Sequence, residues 1–176
     1  ASNSTQASSY QQQLKLRQEI GVLSGFKHVL VVSDPEGKRI GSGGSTIISL
    51  LEVLNREIRS GGSDKTDPVI WKKTLEDLRI LIIHAGGDSR RLPPYGSCGK
   101  IFIPVPGKSD SFLPMTLFDR LVPIYKALPP GQGNKGQVVV TTGDVLLDFN
   151  PAEVKYSYKG ITGLGYYSEP EAVSYT

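Results

Sequence analysis

The sequence predicts an α/β protein built on a mostly parallel sheet with helices on both faces. Three continuous apolar runs rich in β-branched residues, HVLVVSD (28–34), RILIIH (79–84) and QVVVTT (137–142), read as buried strands. Helical apolar spacings separate them, and Gly-rich loops follow each run. Strands alternating with helices indicate parallel pairing through crossovers, and hence a Rossmann-like arrangement. In such sheets ligands bind beyond the carboxyl ends of the strands, where the segments GSGGST, AGGDSRR and TTGD fall.

Each element has a local reason. A weakly amphipathic helical stretch runs from Tyr10 to about Ile20 and includes Leu14, Arg17 and Glu19. After the 28–34 strand and Pro35 comes the loop EGKRIGSGGST, and Ser45 or Thr46 is the expected N-cap of a helix carrying Ile47, Leu50, Leu51, Leu54 and Ile58. That helix closes at Gly61–Gly62. Asp67 as N-cap and Pro68 as first helical residue open the next helix, with Trp71, Leu75 and Leu78 on its buried face. The 79–84 strand leads into AGGDSRRLPPYGSCGKIFIPVP. A further helix is expected from Met115 to Leu128, kinked or shortened by Pro123. PPGQGNKG is a loop, and the 137–142 strand ends at Gly143–Asp144.

Composition narrows the classes. A chain of 176 residues with 38% hydrophobic and 21% charged residues suits one domain with a core. No apolar run is long enough to span a membrane, and no basic head followed by an apolar stretch opens the chain as a signal peptide would. Cys98 is the single cysteine, which excludes an internal disulfide framework or a Cys-based zinc site and fits a reducing, cytoplasmic setting. The net charge of +3 is scattered, so no basic stripe for nucleic acid forms. The small polar start without Met and the absence of any stop signal at PEAVSYT lead us to expect a segment of a longer protein.

The chemistry concentrates in three loops. Gly86 and Gly87, after Ala85, put no Cβ between the backbone and a ligand at the strand end. Consecutive loop N–H groups can form a concave anion site, and Arg90 and Arg91 add two fork-shaped cations suited to phosphate oxygens. Lys100 lies nine residues after Arg91, and the intervening Pro93 and Pro94 stiffen the return, so it reads either as a surface lysine or as a cation brought back to the same pocket. Asp144 has two readings of equal weight: a turn or cap residue, or a carboxylate holding a divalent metal against substrate phosphates. For Ser42, Gly43, Gly44, Ser45 and Thr46 the alternatives are a phosphate cradle at the helix start and a flexible structural loop. Neither a dinucleotide fingerprint nor a P-loop fits that glycine spacing. His28, His84 and Cys98 have no partners at metal-ligand or catalytic spacing and read as structural.

Ala85-Gly86-Gly87, Arg91-Leu92, Lys100 and Pro104-Val105 together resemble the signature loop of sugar-1-phosphate nucleotidyltransferases, and Gly143–Asp144 resembles their metal site. Ser89 and Arg90 stand where that broad family has Gly and Thr, Gly99 replaces Pro, and the gap from arginine to lysine is one residue shorter. With these departures, the four blocks DPEGKRIGSGGST, HAGGDSRRLP, GKIFIPVP and TTGDVLL are similar to the narrower group of fucose-1-phosphate guanylyltransferase domains. The similarity runs from about Leu14 to Pro151.

The resemblance implies that residues 1–176 form the N-terminal nucleotide-binding part of a nucleotidyltransferase domain continuing past residue 176. It implies GTP and L-fucose 1-phosphate as substrates, Mg²⁺ as cofactor, and in some members a C-terminal fucokinase domain, with no nucleic acid or membrane partner. Ala85, Gly86, Gly87, Asp88, Ser89 and Arg90 would bind the nucleotide, Arg91 and Lys100 would be catalytic, Asp144 would hold the metal, and Ser42 to Thr46 would add a phosphate contact. Two alternatives stay open: another base or sugar, and a non-catalytic nucleotide-binding segment. A kinase-type reading of GSGGST is disfavoured by the parallel-strand context and the separate AGGDSRR loop.

Overall fold

A computed structural model describes residues 1–61, 67–87, 99–109, 111–156, 160–165 and 167. Its centre is a pair of parallel strands, β1 (Arg79–His84) and β2 (Gln137–Thr142), in register from Arg79 opposite Gln137 to His84 opposite Thr142. Parallel neighbours need a long crossover, and the residues between these two include a helix. Among the described residues there are four α-helices, α1 (Ser4–Glu19), α2 (Gly41–Ser60), α3 (Pro68–Asp77) and α4 (Leu117–Lys126). The protein is thus a mixture of helix and strand with a small parallel sheet.

The caps follow side-chain chemistry. The Asn3 side chain accepts from the Gln6 N–H at the start of α1, six residues earlier than the apolar pattern suggests. At α3, the Asp67 carboxylate accepts from the Val69 N–H and Pro68 occupies the first turn, as expected. At α4, Thr116 and Asp119 form a reciprocal capping box. Pro123 sits inside α4, which ends one residue after Tyr125.

Burial falls on α4. Phe118 and Val122 join Tyr10, Leu14, Leu23, Ile101 and Phe102 in one cluster, with Ile83 and Ala85 against it. Leu121, Tyr125 and Leu128 form a second cluster with Leu81 and Val139. Both strands therefore rest on α4 through alternate residues, while α2 touches α3 and β1. Arg17 is buried too, paired with Asp119 at 2.7 Å and lying over the rings of Phe102 and Phe118.

Three expectations are corrected. The 28–34 run forms no strand: hydrogen bonds join it to Ala1, from the Ala1 amine to the Val32 carbonyl and from the Asp34 N–H to the Ala1 carbonyl. The described sheet accordingly has two strands rather than three. GSGGST is not a loop but the first turns of α2, which begins at Gly41, so neither Ser45 nor Thr46 is its cap. Finally, β2 is half-buried: Val138 and Val140 are exposed at 43% and 50%, alternating with residues that face the core.

Candidate functional site

The register of the sheet brings the two Gly-containing turns together. Beyond the last paired residues, the Gly143 N–H donates to the His84 carbonyl at 2.9 Å, so Ala85–Gly87 and Gly143–Asp144 leave the sheet side by side. Gly143 has no room for a side chain: a Cβ there would come within 3.0 Å of Ile101 and 3.1 Å of the Ala85 Cβ. Ile101 belongs to a short 3₁₀ turn, Lys100–Phe102, that inserts its two apolar residues into the core. Burying Ile101 and Phe102 carries the preceding Lys100 to the sheet edge, where its Nζ lies 3.4 Å from the Asp144 Oδ2.

The apolar hook is itself held. Gly99, at φ +69°, starts it in a conformation closed to proline, whose φ is fixed near −65°. A Cβ on Gly99 would overlap the Tyr10 ring. Tyr10 packs edge-on against Phe102 with centroids 5.4 Å apart, and its hydroxyl donates to the Ala85 carbonyl. One aromatic residue of α1 thus braces both the Gly-Gly turn and the segment bearing Lys100. The sequence reading did not single out Tyr10, because a lone aromatic on a weakly amphipathic helix carries no motif.

Asp144 is an anion poised at this edge. The Thr142 hydroxyl donates to its Oδ1 and holds the carboxyl below the usual aspartate range; partial burial opposes this, and Lys100 adds to the lowering. Its side chain is 48% exposed, so it can reach an incoming ligand. Mg²⁺ takes one or two carboxylates together with phosphate oxygens, and Asp144 supplies one ionised carboxylate in the open. One such carboxylate suits a cation whose other ligands are not protein groups, rather than a cage made by the protein alone. Among the described residues, no group of three or more His, Cys, Asp or Glu side chains could hold a metal.

Ser42 to Thr46 lie on the first turns of α2 and are tied to the same end of the sheet. The Thr46 hydroxyl donates to the Ser42 carbonyl at 2.9 Å and lies 2.8 Å from His84 Nε2, at the end of β1. The Ser45 hydroxyl donates to Asp34 Oδ1 at 2.7 Å. A cavity of about 640 Å³ lies between the 28–34 segment, the start of α2 and β1, with Gly86 and Gly87 among its lining residues. Gly43 and Gly44 are on the same turns, where a Cβ on Gly43 would meet open space. His28 pairs with Glu57 at 2.7 Å, away from Asp144.

The structure thus brings together Ala85, Gly86, Gly87, Lys100 and Asp144, with Ser42, Ser45 and Thr46 linked to the same sheet end through Asp34 and His84. Asp88, Ser89, Arg90, Arg91 and Cys98 lie outside the described residues. Thr142 is the functional neighbour most open to sequence reading in retrospect, since a hydroxyl two residues before a strand-end aspartate can reach its carboxylate.

Comparison with known proteins reaches the same segment. The fucose pyrophosphorylase domain matches residues 72–174, which include β1, the Gly-Gly turn, Lys100 and Asp144. A bifunctional fucokinase/GDP-fucose pyrophosphorylase of Arabidopsis thaliana is 32% identical over 161 residues, covering 85% of this chain and 15% of that protein. An L-fucokinase/L-fucose-1-P guanylyltransferase of Bacteroides fragilis is 34% identical over 118 residues, covering 65% of this chain and 12% of that protein. The human fucose-1-phosphate guanylyltransferase is 39% identical over 110 residues, covering 60% of this chain and 15% of that protein. The chain therefore spans about one seventh of the length of the curated relatives it matches. No solved structure matches it. With more than half of its length under the matching domain, the chain belongs to the fucose pyrophosphorylase family.

Proposed function

We propose that the full-length protein carrying this chain transfers a guanylyl group from GTP to L-fucose 1-phosphate, giving GDP-fucose and pyrophosphate. In this reading residues 1–176 are the N-terminal nucleotide-binding part of the transferase domain, and the sheet is the core of a larger Rossmann-like one with helices on both faces. Membership of the fucose pyrophosphorylase family supports the reaction class. The observation that carries the site is the meeting of Lys100 and Asp144, 3.4 Å apart, beside Gly86–Gly87 at the carboxyl ends of two parallel strands.

The reaction asks little covalent chemistry of the protein. An oxygen of the sugar phosphate attacks the α-phosphorus in line, the bond from that phosphorus to the bridging oxygen of the β-phosphate breaks, and pyrophosphate carries the electron pair away. Gly87, where a Cβ would meet open space, admits the nucleotide backbone-close, while Gly86 packs against the Ala1–Ser2 backbone, and Arg91, with Arg90, holds the phosphates that leave. Lys100 neutralises charge growing around the α-phosphorus. Asp144 would hold Mg²⁺ through its carboxylate, and the ion would supply charge neutralisation during phosphoryl transfer. The start of α2 adds the backbone N–H groups of Ser42 and Gly43, which have no acceptor within the helix, toward a phosphate, while those of Gly44, Ser45 and Thr46 are taken up by the helix itself. Two of the relatives also carry a fucokinase name, and a kinase domain in the same chain would supply the sugar phosphate.

The reading is tested by pyrophosphate release from the full-length protein with GTP and L-fucose 1-phosphate, against UTP, ATP and mannose 1-phosphate. Selective release with the first pair is expected. Equal or better release with another base or sugar would replace GTP or fucose in the assignment, and no release with any pair would favour a non-catalytic nucleotide-binding protein.

A further inference from the structure

The 640 Å³ cavity has a polar corner that the phosphate chemistry does not use. Its walls are largely apolar, with Val29, Val31, Ile80 and Ile82 among them, and its volume is in the range of small-molecule sites. Gly86 and Gly87 line it at the end where the triphosphate is placed above, so a base attached to that triphosphate would lie beside this cavity. Among the described residues two carboxylates border it. Glu57 Oε2 accepts from Lys27 at 2.6 Å, and Oε1 lies 2.7 Å from His28 Nε2, close enough for an ion pair though without hydrogen-bond geometry. Asp34 lies nearer the Gly-Gly turn, through Ser45 and Ala1: the Ser45 hydroxyl donates to its Oδ1, the Ala1 ammonium is a charge neighbour, and among the described residues no hydrogen bond reaches Oδ2.

We infer that Asp34 reads the base, its carboxylate accepting from the ring N–H and the exocyclic amino group of guanine; this rests on the nucleotidyltransferase reading given above. An ionised carboxylate only accepts hydrogen bonds. Guanine alone among the common bases offers two adjacent donors, N1–H and the 2-amino group, on one edge. Adenine presents an acceptor at N1, and uracil places a single N–H between two carbonyls. Asp34 is also fixed in place: its own N–H donates to the Ala1 carbonyl at 3.0 Å, and Ser45 holds the carboxylate at 2.7 Å. Because Thr46 joins the same turn of α2 to His84, just before the Gly-Gly turn, the separation between reader and phosphate site is set by hydrogen bonds rather than by a loose loop.

The test measures pyrophosphate release by the full-length protein, wild type and Asp34→Asn, with GTP, ITP and XTP. ITP lacks the 2-amino group. XTP carries a carbonyl there, which an asparagine amide can donate to while its oxygen still accepts from N1–H. The wild type is expected to prefer GTP over ITP by about 10-fold or more in kcat/KM. Asp34→Asn is expected to lose about 100-fold or more with GTP and to prefer XTP. Equal use of GTP and ITP by the wild type would overturn the assignment, and this arm decides it alone if the variant does not fold. A folded variant that keeps its preference for GTP, or that loses GTP without gaining XTP, would overturn it as well. A wild type that releases pyrophosphate only with a non-guanine nucleotide would instead remove the GTP reading itself.

Discussion

Lys100 Nζ stands 3.4 Å from Asp144 Oδ2, although 44 residues separate them along the chain. Two independent local events produce this meeting: the burial of Ile101 and Phe102, which pulls Lys100 inward, and the parallel register that ends β1 and β2 at the same level. With both side chains still partly exposed, the pair adds little to stability. Its position beside a Gly-Gly turn at a strand end suits phosphate chemistry better than a structural role.

Replacing Arg17 is expected to be costly. Arg17 is 1% exposed, makes a two-pronged contact with Asp119 at 2.7 and 2.9 Å, and donates to Thr116. Arg17→Met leaves the Asp119 charge without its partner inside the capping box of α4, at a cost of about 3 kcal/mol. Urea unfolding of wild type and variant measures the difference.

The same pair sets a dependence on pH. Burial pushes the Asp119 carboxyl up, but hydrogen bonds from Arg17 and Thr116 outweigh it and hold the group below the usual aspartate range. A carboxyl with a lowered value in the folded state adds stability above its unfolded value of about 4, and that contribution is lost as pH falls through the lower folded value. The gap in unfolding free energy between wild type and Arg17→Met is therefore expected to be widest near neutral pH and to narrow in acid, as the pH falls from the variant's folded Asp119 value toward the lower wild-type one. A gap that stays constant down to pH 2 would show that the pair does not titrate as a unit.

Gly99→Ala is expected to affect both stability and turnover. A left-handed φ of +69° and overlap with Tyr10 together cost about 2 kcal/mol or more. Relief of that overlap shifts the 3₁₀ turn that carries Lys100, so kcat of the full-length protein falls further than a distant substitution of equal destabilisation would cause. Turnover compared at matched unfolding free energy separates the two effects.

How much of this was legible in the sequence depends on how local each determinant is. The start of α3 was readable because Asp67 and Pro68 cap it within its own first turn, whereas Trp71 and Leu75 are only half-buried and Leu78 lies just past its end. The 79–84 and 137–142 strands were readable because their apolar β-branched runs find each other as partners. The 28–34 run has the same composition but bonds to Ala1 instead of β1, and strand formation depends on a partner edge that composition does not supply. The start of α2 was misplaced because glycine and serine are poor helix formers. The long amphipathic segment that follows, anchored by Leu54 and Ile58, lets the helix propagate back to Gly41. The candidate site was legible as separate strand-end segments, but the braces from Tyr10, Asp34 and Thr142 were not, since each depends on a fold-level contact or a hydroxyl with many other uses.

The isolated 176-residue chain is expected to release no pyrophosphate from GTP and L-fucose 1-phosphate. Among its described residues the site offers one carboxylate to a cation, and the chain spans about one seventh of its relatives. Measurable GDP-fucose synthesis by the purified chain would show that the sugar site lies within it.

Steady-state pyrophosphate release by the full-length protein bearing Lys100→Ala or Asp144→Ala tests the account most directly. Each variant is expected to keep the wild-type circular dichroism spectrum and to lose about 100-fold or more in kcat, equivalent to about 2.7 kcal/mol of barrier. Folded variants that turn over at near wild-type rates would contradict the placement of the triphosphate beside these two side chains.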